Sequence, residues 1–258
     1  MNFIKTIRRY RRLSYLLLTI AVITVIYAAI YRKENIGTND IIIKIINKNS
    51  DNKTFLQDVD IKDLLNKKLS YGLDGASLKH IDTYEIENVL EKDQTISSAD
   101  VYIDARNRLV LKIIEREPIV RIMDKNGNTY YLDEQGAYIP TSKHYTARVP
   151  IATGYIPLYS KKEMLKEKTI LKDIIEVAKY IRTNDFMNAL IDQINIDDNA
   201  DIILIPKLSK QKIIFGDASN IEAKFKKLKN FYQEGLSYVG WQKYSIINIK
   251  FKDQVICK

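Results

Sequence analysis

The run from Leu13 to Tyr31, LSYLLLTIAVITVIYAAIY, carries no charged side chain over 19 positions. Wound as a helix, a stretch of this length matches the hydrocarbon core of a bilayer, roughly 30 Å thick. Tyr15 stands near one end and Tyr27 and Tyr31 near the other, where amphipathic rings favour the membrane–water interface. The run exceeds the apolar region of a cleaved signal peptide, roughly 7–15 residues, and no Ala-x-Ala site follows it, so it reads as a retained transmembrane helix over 13–31. Lys5, Arg8, Arg9, Arg11 and Arg12 precede it with no acid among them, whereas only Arg32 and Lys33 follow closely, beside Glu34. The positive-inside bias then makes residues 1–12 a cytoplasmic tail, with Arg8, Arg9, Arg11 and Arg12 setting the topology. After a linker over 32–39, the bulk of the chain is exported.

That placement changes the meaning of the charge. The formal net charge is +9, and the five cations ahead of Leu13 supply more than half of it. What remains is a mildly basic solvated surface, far from the footprint of a nucleic-acid binder. Charged residues at 28% and hydrophobic ones at 46% describe an ordinary globular body. Cys257 is the only cysteine, so no disulfide forms within the chain and the exported part depends on its hydrophobic cores.

Asp40 to Asn47 is rich in β-branched residues and predicts a strand. Thr54 to Leu69 places Leu56, Val59, Leu64 and Leu65 near helical spacing, and Asp82 is a candidate N-cap for a second helix over Thr83 to Glu91. Ile96 to Asp104 and Arg108 to Ile114 alternate as a hairpin. The order strand, helix, helix, strand, strand makes one compact module over 40–116. At Glu117-Pro118 a proline breaks the pattern and a strand-rich part begins, over 117–258. Its strands fall at Ile119 to Met123, Thr129 to Asp133, Ala137 to Ile139, Leu190 to Ile196, Asp201 to Ile205, Lys212 to Phe215 and Tyr244 to Phe251. Two helices are expected, Lys161 to Asn184 with Leu165, Ile170, Ile174, Val177 and Ile181 buried, and Asn220 to Gln233 carrying four lysines. The fold class is α+β, with the second part mainly antiparallel.

Reactive constellations are sparse. Asp124-Lys125-Asn126-Gly127-Asn128 has the look of a calcium loop, but its glycine falls at the fourth position instead of the sixth and Gln135 stands where glutamate is needed. A hairpin turn explains each of its residues better. Asp197-Asp198-Asn199-Ala200-Asp201 reads the same way. His80 and His144 stand apart, with no metal-ligand spacing, and there is no phosphate loop or nucleophile elbow. Glu115 and Glu117, if on one strand, share a face and form an ionised surface pair. No catalytic residue, metal site, cofactor or small-molecule substrate is expected, and the chain does not read as an enzyme.

A short basic tail, one anchor, a strand–helix–helix–strand–strand module and then Glu115-Arg116-Glu117-Pro118 together resemble the bacterial FtsQ/DivIB cell-division family. Tyr131-Leu132-Asp133-Glu134-Gln135-Gly136 and the pattern Leu78, Ile81, Ile86, Val101 are similar to family patterns as well. The resemblance implies a POTRA domain over 40–116, a domain junction at Glu115, Arg116, Glu117 and Pro118, and an FtsQ-type β domain over 117–258. It implies a single-pass scaffold in the inner membrane at the division septum, mostly periplasmic, that recruits FtsB-like and FtsL-like partners and other divisome components during septal peptidoglycan synthesis. Partner binding in the family uses strand addition at the last strand and a nearby helix. Here the corresponding residues are Tyr244, Ile247, Asn248, Ile249, Lys250 and Phe251, with Lys226 and Lys229 on the helix. Asn248 departs from the more usual acid, which removes a charge pair at that position. POTRA units also serve transport and outer-membrane assembly systems, but those generally carry several units or a membrane barrel, and this chain has neither pattern.

Overall fold

The computed structural model describes residues 15, 17–28, 40–47, 53–73, 80–208 and 210–258. Residues 17–28 form a helix, α1, whose side chains from Leu17 to Tyr27 are exposed. The expected span over 13–31 extends past the described residues at both ends, and Arg8, Arg9, Arg11, Arg12, the linker 32–39 and Leu78 also lie outside them. Among the described residues, no helix is long and apolar enough to cross a membrane.

The chain divides into two compact units. One comprises residues 1–44, 58–91 and 98–113 and the other residues 45–57, 92–97 and 114–258. In the first, β1 (Ile41–Ile46), β2 (Ile96–Ile103) and β3 (Leu109–Glu115) form a three-stranded sheet in the order β1-β3-β2. Helix α2 (Asp58–Lys68) has acids in its first turn and lysines in its last, as the helix dipole favours, and helix α3 (Thr83–Glu91) packs against it. Asp82 does cap α3, its Oδ1 accepting the Glu85 N–H at 3.0 Å. The core takes Ile61 and Leu65 from α2 and Ile86 and Leu90 from α3. The sequence expectation of Val59 on the buried face is corrected: α2 starts at Asp58, which turns Ile61 inward and leaves Val59 exposed.

The second unit is built on a nine-stranded sheet of order β12-β11-β10-β9-β8-β7-β4-β5-β6. β4 (Pro118–Met123), β5 (Thr129–Asp133) and β6 (Tyr138–Pro140) form one antiparallel meander, and β8 (Ile191–Ile196), β9 (Ile202–Pro206) and β10 (Lys212–Gly216) form another. β7 (Ile151–Gly154) joins them, parallel to β4 on one side and to β8 on the other. At Gly154, φ is +99°, and a Cβ there would stand 2.1 Å from the Ile196 carbonyl oxygen, so no larger residue fits this junction without backbone movement.

Helices α5 (Ile170–Thr183), α6 (Asp185–Leu190) and α7 (Ile221–Asn230) contribute to this unit's main core, with Ile174, Val177, Ile181, Phe225 and Leu228 fully buried. The single helix expected over Lys161 to Asn184 is two: α4 (Lys161–Leu165) and α5, separated at 166–169, with Leu165 84% exposed instead of buried. Glu163 ties the break together, accepting from Thr169 Oγ1 at 3.0 Å and pairing with Lys166 at 2.5 Å. The second expected helix ends earlier than Gln233 in α-form; α7 passes into a π-turn over Phe231–Gly235 and then α8 (Leu236–Val239).

One turn design recurs four times. Asp104, Asp124, Asp133 and Asp197 each accept, through Oδ1, the N–H groups two and four residues on. The residue three on takes positive φ in each case: Asn107 at 57°, Gly127 at 81°, Gly136 at 77° and Ala200 at 62°. The suspected calcium loop and the second acidic cluster are two of these turns. A carboxylate that replaces the missing ladder bonds of a tight hairpin has its acceptor capacity used by the chain itself.

Candidate partner-binding edge

β10, β11 (Ile246–Asn248) and β12 (Ile256–Cys257) close one end of the nine-stranded sheet. β11 runs parallel to β10, and the pairing continues past it where the Ile249 N–H donates to the Ile214 carbonyl at 3.0 Å. The expected exposed last strand, Tyr244 to Phe251, is therefore corrected. Its central part is a three-residue interior strand, and the outer edge belongs to β12, which sequence reasoning left unassigned. The apolar Val255-Ile256-Cys257 after the polar Lys252-Asp253-Gln254 was the available signal.

The register of β12 decides which of its backbone groups are free to pair outward. Lys258 and Ile246 exchange both N–H···O bonds at 3.0 Å, and Cys257 lies opposite Ile247. In an antiparallel ladder the pair next to a hydrogen-bonded pair is not hydrogen-bonded. The Cys257 N–H and C=O therefore point away from β11, toward the open side, while the Cys257 side chain packs half-buried against the core. Burial pushes its thiol pKa up, which keeps it protonated.

The expected partner-binding residues separate into distinct places. Ile247 and Ile249 are fully buried in the core, and β11 is paired on both sides, so any contribution they make to binding can only be support. Asn248 is half-buried and its Oδ1 accepts the Lys250 N–H at 3.0 Å. Lys226, Lys250 and Phe251 come together along a groove of about 1070 Å³ between α7 with its π-turn and the segment 250–255. Phe251 is 45% exposed there, and its carbonyl accepts from Lys227 Nζ. Lys250 Nζ reaches both Asp201 oxygens at 2.7 and 2.8 Å, and that carboxylate raises its pKa. Its stem crosses Gly216, where an added Cβ would lie 2.7 Å from Lys250 Cγ. Lys229 is absent from the groove, its Nζ standing 6.0 Å over the Phe186 ring. Tyr244 lies before β11, its carbonyl accepting from Gln211 Nε2 at 2.9 Å.

The lysine helix is not uniformly solvated. Lys224 is buried, bonding the Asp217 carbonyl at 2.9 Å and Oδ1 at 2.8 Å, and it sits 5.1 Å over the Phe215 ring. Its ammonium holds the Asp217 carboxyl well below the usual carboxylate range.

The Glu115–Pro118 segment also departs from expectation. β3 ends at Glu115 and β4 begins at Pro118, so strand alternation does not carry through residues 116 and 117. Glu115 is buried, not a surface partner of Glu117; its Oε1 accepts the Leu56 N–H at 2.8 Å and Oε2 is buried without a hydrogen-bond partner. Desolvation raises its pKa against the opposing effect of the backbone donors. Arg116 meets Asp133 at 3.1 Å, and Glu117 meets Arg182 at 2.5 Å, with Glu134 3.4 Å from the same guanidinium. These pairs tie the start of β4 to the β5–β6 turn and to α5. They are structural, and no group of three or more His, Cys, Asp or Glu side chains among the described residues is arranged to hold a metal.

The FtsQ/DivIB, C-terminal related family model matches residues 117–258, and a POTRA-like domain model matches residues 39–114. No curated protein matches the chain. The chain belongs to the FtsQ/DivIB family through its C-terminal domain and carries a POTRA-like domain before it in the sequence.

Proposed function

We propose that this protein is a membrane-anchored scaffold of the bacterial division machinery that captures FtsB-like and FtsL-like partners by strand addition at the β12 edge. FtsQ/DivIB-family domains point to a role in cell division, and they and POTRA-like domains are scaffold-type modules. The observation that carries the finer reading is the outward-facing backbone of Cys257, next in the chain to a groove that exposes Phe251. An unpaired edge offers an extended segment its main-chain bonds, and the neighbouring groove supplies side-chain selectivity. The uncharged run over 13–31 supports an anchor in the cytoplasmic membrane, with the N-terminus inside and the two folded units outside, enriched at the septum.

Cys257→Pro tests the edge directly. It removes only a donor that faces away from β11, so the sheet keeps its ladder while an added strand loses its bond. Pull-down of an FtsB-like partner should fail for Cys257→Pro and for Phe251→Asp, with circular dichroism unchanged in both. Full capture by both variants would move the interface elsewhere. In cells, depletion should produce filaments and a labelled copy should sit at midcell; even membrane distribution with normal division would rule out the scaffold role.

A further inference from the structure

The groove at Phe251 lies at one end of the β10–β11–β12 trio, and a different pocket lies at the other. It has a volume of about 730 Å³, and it is built by the β9–β10 loop, the segment before β11 and the end of β12. The two differ in electrostatics. Along the Phe251 groove the lysines have carboxylate company: Lys224 with Asp217, Lys250 with Asp201, and Asp253 close enough to Lys227 to act on its charge. The second pocket is lined by Lys207, Lys210, Lys243 and Lys258 and by no aspartate or glutamate. All four are exposed. A chain whose charge beyond the first twelve residues is only mildly basic thus gathers four cations around one hollow.

The hollow has a fixed floor. Gln211 is 3% exposed, donates to the Trp241 and Tyr244 carbonyls and accepts from the buried Tyr232 hydroxyl at 2.8 Å. One glutamine so ties the β9–β10 loop to the segment 241–245, and the lysine stems rise from a frame held by buried hydrogen bonds. Lys207 Nζ is itself held by the Asn188 carbonyl at 2.7 Å. Like charges gathered with no aspartate or glutamate among them repel one another, and an anion placed among them relieves that repulsion.

We propose that this pocket binds a phosphate-bearing anion. The cations are all lysines. Ammonium groups act as point charges that can surround the diverging oxygens of a phosphate, whereas the planar fork of arginine, which matches a carboxylate edge to edge, is missing here. The volume lies within the range of ligand pockets, about 300–1,000 Å³. The site shares no lining residue with the Phe251 groove, and its occupancy does not depend on the strand-addition reading.

Trp241 is the only tryptophan in the chain and its carbonyl is bonded to the floor residue, so its fluorescence reports on this pocket. The full-length protein in an uncharged detergent is titrated at low salt with pyrophosphate, with inorganic phosphate and with citrate as a carboxylate-only anion. Pyrophosphate should give a saturable change, weakened about tenfold or more by Lys210→Glu with Lys243→Glu, since reversing two exposed charges turns attraction into repulsion. Lys161→Glu with Lys162→Glu, exposed on α4 beside the β5–β6 turn at the opposite end of the sheet, should leave it unchanged. Equal binding by the Lys210/Lys243 variant, an equal loss in the Lys161/Lys162 variant, or citrate binding as tightly as pyrophosphate would overturn the proposal. Vesicles containing phosphatidylglycerol that compete for the pyrophosphate signal would identify a lipid headgroup as the source of the phosphate; their failure to compete would assign a soluble or polymeric phosphate.

Discussion

The two ends of the nine-stranded sheet are built differently. At the β4–β5–β6 end both faces are covered: β5 is buried at four consecutive positions, Tyr130 to Asp133. Tyr130 and Leu132 belong to the main core, and Tyr131 and Ile139 meet Phe55, Tyr145 and Ala147 on the other face. Phe55 stands edge-on to Tyr131 at 5.6 Å and to Tyr145 at 5.3 Å, and its carbonyl accepts from Ser142 Oγ. The edge itself ends in Pro140, which lacks a donor. At the β9–β12 end, burial alternates along β9 and the edge strand has only two residues. One end is buried on both faces and its edge strand ends without an outward donor; the other is buried at alternate residues and finishes in an edge strand of two residues. A missing donor discourages pairing at an edge, one of the ways sheets limit indiscriminate association.

The sharpest way to break this comparison is to truncate the second-face cluster. Phe55→Ala should cost about 3–5 kcal/mol, the range for emptying a packed aromatic site, read as a fall in the denaturant midpoint. Ile256→Ala at the open edge should cost less than about 1 kcal/mol, since Ile256 is 47% exposed. Equal losses would mean that the two ends are equally load-sharing and that the β12 edge is not a free surface.

Glu115 gives a pH test of the covered end. Its folded pKa is raised from 4.5 by desolvation, so the native state binds its proton more tightly than the unfolded chain does. The associated stability is fully present below about 4.5 and is lost as pH rises through the folded value. Glu115→Gln keeps an acceptor for the Leu56 N–H and removes the charge. The variant should therefore melt higher than the native protein at pH 7, with the gap shrinking as the pH falls through that window. A gap independent of pH would mean that Glu115 is not the desolvated group it is taken to be.

The smallest effect compares the same turn at the two ends. Glycine takes the positive-φ position in the turns at Asp124 and Asp133, but Ala200 takes it in the turn at Asp197. Ala200→Gly should stabilise by about 0.5–1 kcal/mol, because the left-handed backbone strains any residue with a Cβ. A loss of stability would show that Ala200 makes contacts worth more than the strain.

Features marked by local chemistry were legible in the sequence. The turn-residue clusters Asp124–Asn128 and Asp197–Asp201 announced two hairpins, strand alternation announced β2 and β3, and Asp82 announced the start of α3. Three things were hidden. β7 has four residues and parallel partners on both sides, and no turn motif marks a parallel neighbour. The burial of Glu115 depends on residues 55 and 56, nearly sixty positions away. The family resemblance pointed to the segment containing Phe251 as the last strand, whereas the edge is the shorter strand after it. Of the residues expected to meet a partner, Lys226, Lys250 and Phe251 line one groove, while Lys229 and Tyr244 stand outside it.

The position of β7 also bears on how this domain assembles. The β4–β6 and β8–β10 meanders each close through short turns and can zip from local contacts, on the fast side of folding. β7 completes its ladder bonds only when both meanders are present, because every one of them goes to one or the other. Its pairing is the long-range contact that joins the two hairpin stacks into one sheet. The Gly154–Ile196 contact sits at that join, so crowding it should slow refolding while leaving the early hairpin signal in place.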